Sequence, residues 1–222
     1  MKLTRSSALK CAFTSALLML CLVAFSPVAN SQGQMMRPPQ IMGIWNPTIG
    51  AGATYEISGG KEGTSTMTMA LVGKEGDGYW IEMSFDTKKG NMLMKMLTTG
   101  EGDHEVTRMI MQIPGQQQPI EMSQAMLQSS KDSLQDIHTH GTNMGADTIT
   151  VPAGTFLCDH WQSQAGDDIW LSPKVPPYGL VKSVNKDGHT MVLTKVVTDA
   201  KDKITGKPMS MDDMMRGGGR PH

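Results

Sequence analysis

Two groups of side chains in this 222-residue sequence have the type and spacing to do chemistry. The larger is methionine, with 21 residues recurring as Met-x-Met at Met67/Met69, Met92/Met94/Met96, Met109/Met111 and Met209/Met211. Thioether sulfur is soft and suits Cu(I), so spaced methionines are candidate copper ligands. The same spacing is what any core-facing strand shows, and methionine adapts to irregular apolar space. The smaller group is His138-Thr139-His140, with Cys158 and His160. If extended, His138 and His140 present two imidazoles on one side. Cys158 and His160 are also two apart, which in a strand separates them by ~7 Å, long for a nucleophile and its base.

Catalytic templates are missing from the rest of the chain. There is no G-x-S-x-G elbow, no P-loop, no H-E-x-x-H pair and no paired-cysteine metal site. Gly50-Ala51-Gly52 is a fragment of a dinucleotide fingerprint, with Tyr55 where the third glycine belongs. The sequence therefore reads as non-enzymatic and assigns no cofactor. Copper is the one candidate metal, with His138, His140, Met209, Met211, Met214 and Met215 as its candidate ligands.

The elements that must position these residues are strands. Tyr79, Ile81, Met83 and Phe85 alternate with Trp80, Glu82, Ser84 and Asp86, an apolar face against a mostly polar one. Similar alternation passes through Met67, Met69 and Leu71, through Met92, Met94 and Met96, and through Met109, Met111 and Ile113. Glycine-bearing turns separate them, so neighbours in sequence are expected to pair as a meander. The span from Pro119 to Gln135 has no glycine. Its Ile120, Leu127 and Leu134 recur every seven residues with Met122 and Met126 between, which predicts one helix at 119–135. Strands are then expected over 148–151, 154–162, 168–171, 179–184 and 190–197, the last two joined through Asp187-Gly188, a strong hairpin signal. The predicted fold is mainly β, a curved antiparallel sheet or incomplete β-barrel of about eight to ten strands with one packed helix, because long sheets accumulate twist and curl.

The ends are read differently. Lys2, Arg5 and Lys10 precede the apolar stretch Cys11 to Phe25, and small residues follow, so residues 1–31 read as a secretory signal peptide too short to span a membrane. Its removal turns 20 basic residues against 21 acidic into 17 against 21, a formal charge of −4. Nothing in that balance favours nucleic acid. Only Cys158 remains, so no internal disulfide is expected and the thiol reads as a small buried apolar group. Residues 32–44 read as a flexible tether, 45–198 as the β-rich domain and 199–222 as a disordered Met/Gly-rich tail.

One stretch carries a resemblance. Val151-Pro152-Ala153-Gly154-Thr155-Phe156-Leu157-Cys158-Asp159-His160, then Ile169-Trp170-Leu171-Ser172, then Val175-Pro176-Pro177-Tyr178-Gly179-Leu180-Val181-Lys182, resembles the closing pattern of uncharacterised exported bacterial domains, V-P-A-G-x-F-x-C-x-H, W-x-S and V-P-x-x-G-L-V-K. Those domains are similar to the lipoprotein-localisation-factor superfamily. The resemblance implies an incomplete barrel closed by helices around an apolar cavity, and assigns no catalytic residue. On the residues alone, Pro152, Gly154, Phe156, Trp170, Pro176 and Gly179 read as a structural corner.

The function expected from these readings is an exported, non-enzymatic binding protein, periplasmic or secreted and without a transmembrane anchor once the signal is cleaved. It would hold a lipid or another hydrophobic small molecule against Met67, Met69, Met92, Met94, Met96, Met109 and Met111, with the helix as lid. The alternatives are a periplasmic Cu(I)-binding protein using the Met-x-Met and His groups, and a structural or stress-related envelope protein with a filled core. In the tail, where no strand would pack the methionines, copper capture or oxidant scavenging is the alternative to an idle segment.

Overall fold

A computed structural model of the chain describes residues 41–60, 63–87, 90–99, 105–130 and 135–217. The signal-peptide reading and residues 32–40 of the tether lie outside the described residues. Strand β1 (Ile41–Met42) is followed by β2 (Gly52–Gly60), β3 (Gly63–Glu75), β4 (Gly78–Thr87), β5 (Gly90–Thr98), β6 (Val106–Gln112) and β7 (Ile120–Glu121). Helix α1 (Gln124–Ser130), β8 (Gln135–Asp136) and the single turn α2 (Ile137–His140) come next. The second half runs β9 (Gly141–Val151), β10 (Gly154–Ser163), β11 (Asp168–Leu171), β12 (Leu180–Val184), β13 (Thr190–Val197), β14 (Met209–Ser210) and α3 (Met211–Gly217).

The protein is mainly β. Twelve strands form one open sheet in the order β14-β7-β6-β5-β4-β3-β2-β13-β12-β11-β10-β9, and β1 pairs with β8 in a separate parallel ribbon. The expected meander exists twice. Strands β2 to β7 pair with their sequence neighbours, strands β9 to β13 do the same, and β13 joins the two by pairing with β2 from Val197 opposite Gly52 to Thr190 opposite Ser58. Every pairing in the large sheet is antiparallel except β14 on β7. Register shifts interrupt the ladders of β2, β3, β10 and β13, and such bulges bend a strand and increase its twist. In the second meander the turn after β9 reaches back to β13, where the Ala153 N–H donates to the Leu193 carbonyl at 3.4 Å. Strand β2 is absent from the sequence reading, although Ala53, Tyr55 and Ile57 alternate with Thr54, Glu56 and Ser58. The Tyr55 hydroxyl, wholly buried, donates to the Leu180 carbonyl at 3.0 Å and so ties the two meanders together.

Alternation sets which residues are inward. Ala53, Tyr55, Met67, Met69, Leu71, Ile81, Met83, Phe85, Met94 and Met96 are buried in one continuous cluster, which Leu127 of α1 and Ile137 of α2 complete. Trp45 packs on the same cluster, edge-on to Tyr79 with ring centroids 5.5 Å apart. The Asp187-Gly188 hairpin forms as expected: Gly188 has φ +81°, and the Asn185 side chain accepts from the Asp187 and His189 amides at 3.0 and 2.8 Å.

Four expectations require correction. The helix is Gln124–Ser130 rather than 119–135, because Ile120 and Glu121 pair with Met111 and Ile110 as β7 and Ser123 starts the helix only afterwards. Of its proposed stripe, Leu127 is buried, Met126 faces outward and Leu134 lies outside the described residues. The tether reading does not hold for the described end of 32–44, since Ile41 and Met42 pair with β8 and Ile44 packs on the core. The tail does not begin at Asp199: residues 200–210 cross the outer face of the sheet, and Ile204 is 3% exposed. That crossing also explains why the outer side of β4, expected to face solvent, is buried at Trp80 and Glu82.

Candidate functional site

The inner face of β3 to β6 is a methionine ladder. Met69, Met83, Met94 and Met111 stand directly opposite one another across four neighbouring strands. Flanking rows pair Met67 with Phe85 and Met92, and Leu71 with Ile81, Met96 and Met109. Directly opposite side chains in an antiparallel sheet lie within contact range, so the rows form a continuous apolar surface. Burial is graded along them. Met67 and Met83 have no exposed surface, Met69, Met94 and Met96 are buried, and Met92, Met109 and Met111 are half-buried. All seven methionines expected to line a site therefore lie on one face. Met83 and Met122 join them; Met83 was already visible in the Tyr79–Phe85 alternation, while Met122 had been placed in the helix stripe.

The cover over the half-buried end is slight. Helix α1 has seven residues, with no acidic side chain in its first turn and no basic one in its last. A helix that short has little stability of its own and depends on what it packs against. Its hold includes Leu127 in the core, the Met122 amide donating to the Met109 carbonyl at 2.9 Å, and Gln124 Nε2 donating to the Thr107 carbonyl at 3.3 Å.

The histidine expectation fails on local geometry. His138 and His140 lie in the single helical turn α2, capped by Asp136, whose Oδ1 accepts from the His138 amide at 2.9 Å. Two helical steps rotate side chains about 200° apart, so the two imidazoles do not share a side. His138 is instead held by Asp136 Oδ1, 2.9 Å from Nδ1, and stands edge-on to Trp161. Among the described residues no three His, Cys, Asp or Glu side chains gather as a metal site. In the C-terminal segment Met209 lies on β14, and Met211 and Met214 lie on α3; Met209 and Met214 are 36% and 38% exposed. The Met215 side chain lies outside the described residues.

Cys158 is buried, with its Sγ donating to the Phe156 carbonyl at 3.7 Å. Burial first, then the Asp147 and Asp159 carboxylates, push its thiol up to about 11. Such a thiol is neutral at ordinary pH and a poor nucleophile. His160 is engaged by other partners, stacked on Trp170 at 4.5 Å with Nε2 3.0 Å from Asp168 Oδ1. Trp170 is clamped further, by Lys182 5.1 Å from its ring and by its own Nε1–H donating to Asp147 Oδ2 at 3.0 Å. The His, Trp and Lys of the closing pattern thus hold one another across β10, β11 and β12. Its other residues make corners. Gly154 has φ +135°, and Gly179 has φ +78°, where a Cβ would meet Ile44 Cβ and the Ser172 carbonyl oxygen at 3.2 Å. Phe156 and the Val175–Val181 loop are buried, the latter including Pro176, while Pro152 is exposed.

With this geometry in view, comparison adds little. No family model matches the chain, and no curated protein matches it in sequence. A solved structure from Bacteroides fragilis, described as an exported protein with a YmcC-like fold, is 12% identical and covers 70% of this chain and 99% of its own, at a TM-score of 0.33. At that score the likeness transfers neither fold nor function. Among the described residues no helix is long and apolar enough to cross a membrane.

Proposed function

We propose that this is an exported, non-enzymatic binding protein that holds a lipid or similar hydrophobic molecule against the methionine face of β3 to β6. The observation that carries the reading is the gradient of burial: the wholly buried Met67 and Met83 adjoin Met92, Met109, Met111 and Met122, which are only half-covered beside a seven-residue helix. A surface that is apolar, partly open and built from flexible side chains suits ligands of variable shape. Export rests on the leader of residues 1–31. The test is titration of the mature chain with N-phenyl-1-naphthylamine, whose fluorescence rises in apolar surroundings. Saturable enhancement is expected, weakened at least tenfold in Met109→Lys and Met111→Lys, since each puts a charge on the face. No enhancement, or enhancement indifferent to both substitutions, overturns the proposal.

A Cu(I) role has one supporting observation of its own: Met211 and Met214 are three apart on α3, hence on one side of it, and the exposed Met209 precedes them. Competition against bathocuproine disulfonate, with and without residues 209–222, tests it. Copper retention that depends on those residues supports the role, and equal retention in both chains removes it.

A further inference from the structure

The outer face of the sheet has an apolar cluster of its own: Trp80, Leu93, Leu97 and Ile110, with Val72 against them and Ile204 completing it from the C-terminal segment. That segment is fastened at both ends by backbone. The Ala200 N–H donates to the Gly50 carbonyl at 2.9 Å and the Met209 N–H to the Pro119 carbonyl at 2.8 Å, after which β14 adds two residues to β7. Its middle is fastened by charge. Lys95 Nζ donates to Asp202 Oδ2 at 2.7 Å and to the Ile204 carbonyl at 2.9 Å, and the Lys203 amide donates to Glu82 Oε2 at 2.9 Å.

Glu82 and Lys95 are directly opposite on β4 and β5, and both are buried. Two carboxylates, Glu82 on the sheet and Asp202 on the segment, therefore face each other beside Lys95, whose ammonium is bonded to Asp202. That row of the sheet adds no further cation, although Arg108 on the same outer face stands 5.3 Å from the Trp80 ring that Lys95 also faces at 5.1 Å. The neighbouring positions are Ala70 on β3 and Ile110 on β6, and Glu121 on β7 is engaged by Arg108, whose Nε lies 2.8 Å from it. With Glu82 protonated the group of three is neutral; with Glu82 ionised it carries a net negative charge where Glu82 and Lys95 are buried and Asp202 is 37% exposed, which is costly for the buried carboxylate.

We propose that residues 200–210 are a releasable strap, latched over the Trp80 cluster by a proton held on Glu82 and loosened when that proton leaves. Burial, reinforced by the adjacent Asp202, holds the Glu82 carboxyl above the ordinary carboxylate range despite the amide hydrogen bonds from Lys203 and Ile204. Lifting the strap returns Glu82 to water and toward its ordinary value. The latched form then binds more protons than the open form between those two values. Latching is strongest below that interval and weakens as pH rises through it, by at most about tenfold per pH unit for one proton. The open form bares Trp80, Leu93, Leu97 and Ile110, an apolar surface separate from the methionine face.

Hydrogen exchange of the full mature chain between pH 5 and 9, corrected for the intrinsic pH dependence of exchange, tests this. In the wild type the peptide over residues 200–210 should open more readily as pH rises through the interval, while β3 and β4 stay protected. Glu82→Gln keeps a neutral side chain at that place and should flatten the response with the strap closed. Asp202→Asn, on the strap itself, removes the neighbouring carboxylate but not the burial of Glu82, and should make the response shallower without abolishing it. A flat wild-type profile, a slope that persists in Glu82→Gln, or opening of β3 and β4 in step with the strap would overturn the proposal.

Discussion

Replacing Met83 and Met111 separately by alanine should give unlike results although the two residues face the same way in one row of the sheet. Met83 has no exposed surface and sits between Met69 and Met94, so Met83→Ala empties three heavy atoms from packed surroundings. Truncation of a fully buried methionine costs about 2–5 kcal/mol, and at the middle of that range a chain of this size loses roughly 7–14 °C in Tm. Met111 is half-buried at the border of the same surface, where the truncated site stays in reach of water and of the adaptable Met94 and Met109. Met111→Ala should cost under about 1 kcal/mol, hence at most roughly 4 °C, yet weaken binding of an apolar probe. Urea unfolding followed by tryptophan fluorescence measures the first effect, and N-phenyl-1-naphthylamine titration the second. Equal destabilisation by the two substitutions would refute the division of this face into a packed interior and an open border.

Gly179→Ala should destabilise by more than about 1 kcal/mol, because φ +78° disfavours any Cβ and the new methyl would press on Ile44 and the Ser172 carbonyl; an unchanged urea midpoint would contradict the tight corner. The Cys158 thiol should resist iodoacetamide at pH 8 in the folded protein and react on unfolding, and fast stoichiometric labelling of the native chain would show it to be neither buried nor raised. Its titration has a definite sign. The unfolded thiol ionises near 9.0 and the folded one near 11, so the native state keeps the proton longer, and this contribution is complete below pH 9 and lost as pH rises toward 11. Chemical unfolding at pH 8 and pH 10.5 should therefore show Cys158→Ala losing less stability over that interval than the wild type, and equal losses would remove the effect. Trp170→Leu should loosen β10 to β12, where the indole holds His160, Lys182 and Asp147, seen as faster hydrogen exchange in those strands with β3 to β5 unaffected; unaltered exchange in β10 to β12 would refute the clamp.

Alternation was the readable part of the sequence, because a strand buried on one face writes its period directly into the chain. It placed β3 to β6 and β10 to β13, and with them the shared face of the seven methionines. Pairing between distant segments leaves no such trace. Nothing local says that β13 lies beside β2, or that the Tyr55 hydroxyl will meet the Leu180 carbonyl. The helix was overextended because Ile120 has the same hydropathy whether it faces a core from a helix or pairs with Met111 in a strand. Glu82 reads as solvent-facing because a strap whose Lys203 lies 121 residues downstream is invisible to a local pattern. Asp202 and Lys203 look like tail residues until Lys95 and Glu82 are placed opposite them. His138-x-His140 hides its helical turn for a related reason: the Asp136 cap, which turns the segment into α2, is only a single acidic residue in the sequence.

The ligand reading is met most directly by native mass spectrometry of the mature chain purified without detergent from the envelope of its own cells. The expected spectrum contains adducts of lipid-like mass that solvent extraction removes and that fall away in Met109→Lys and Met111→Lys. A bare protein mass from wild type and variants alike would contradict it.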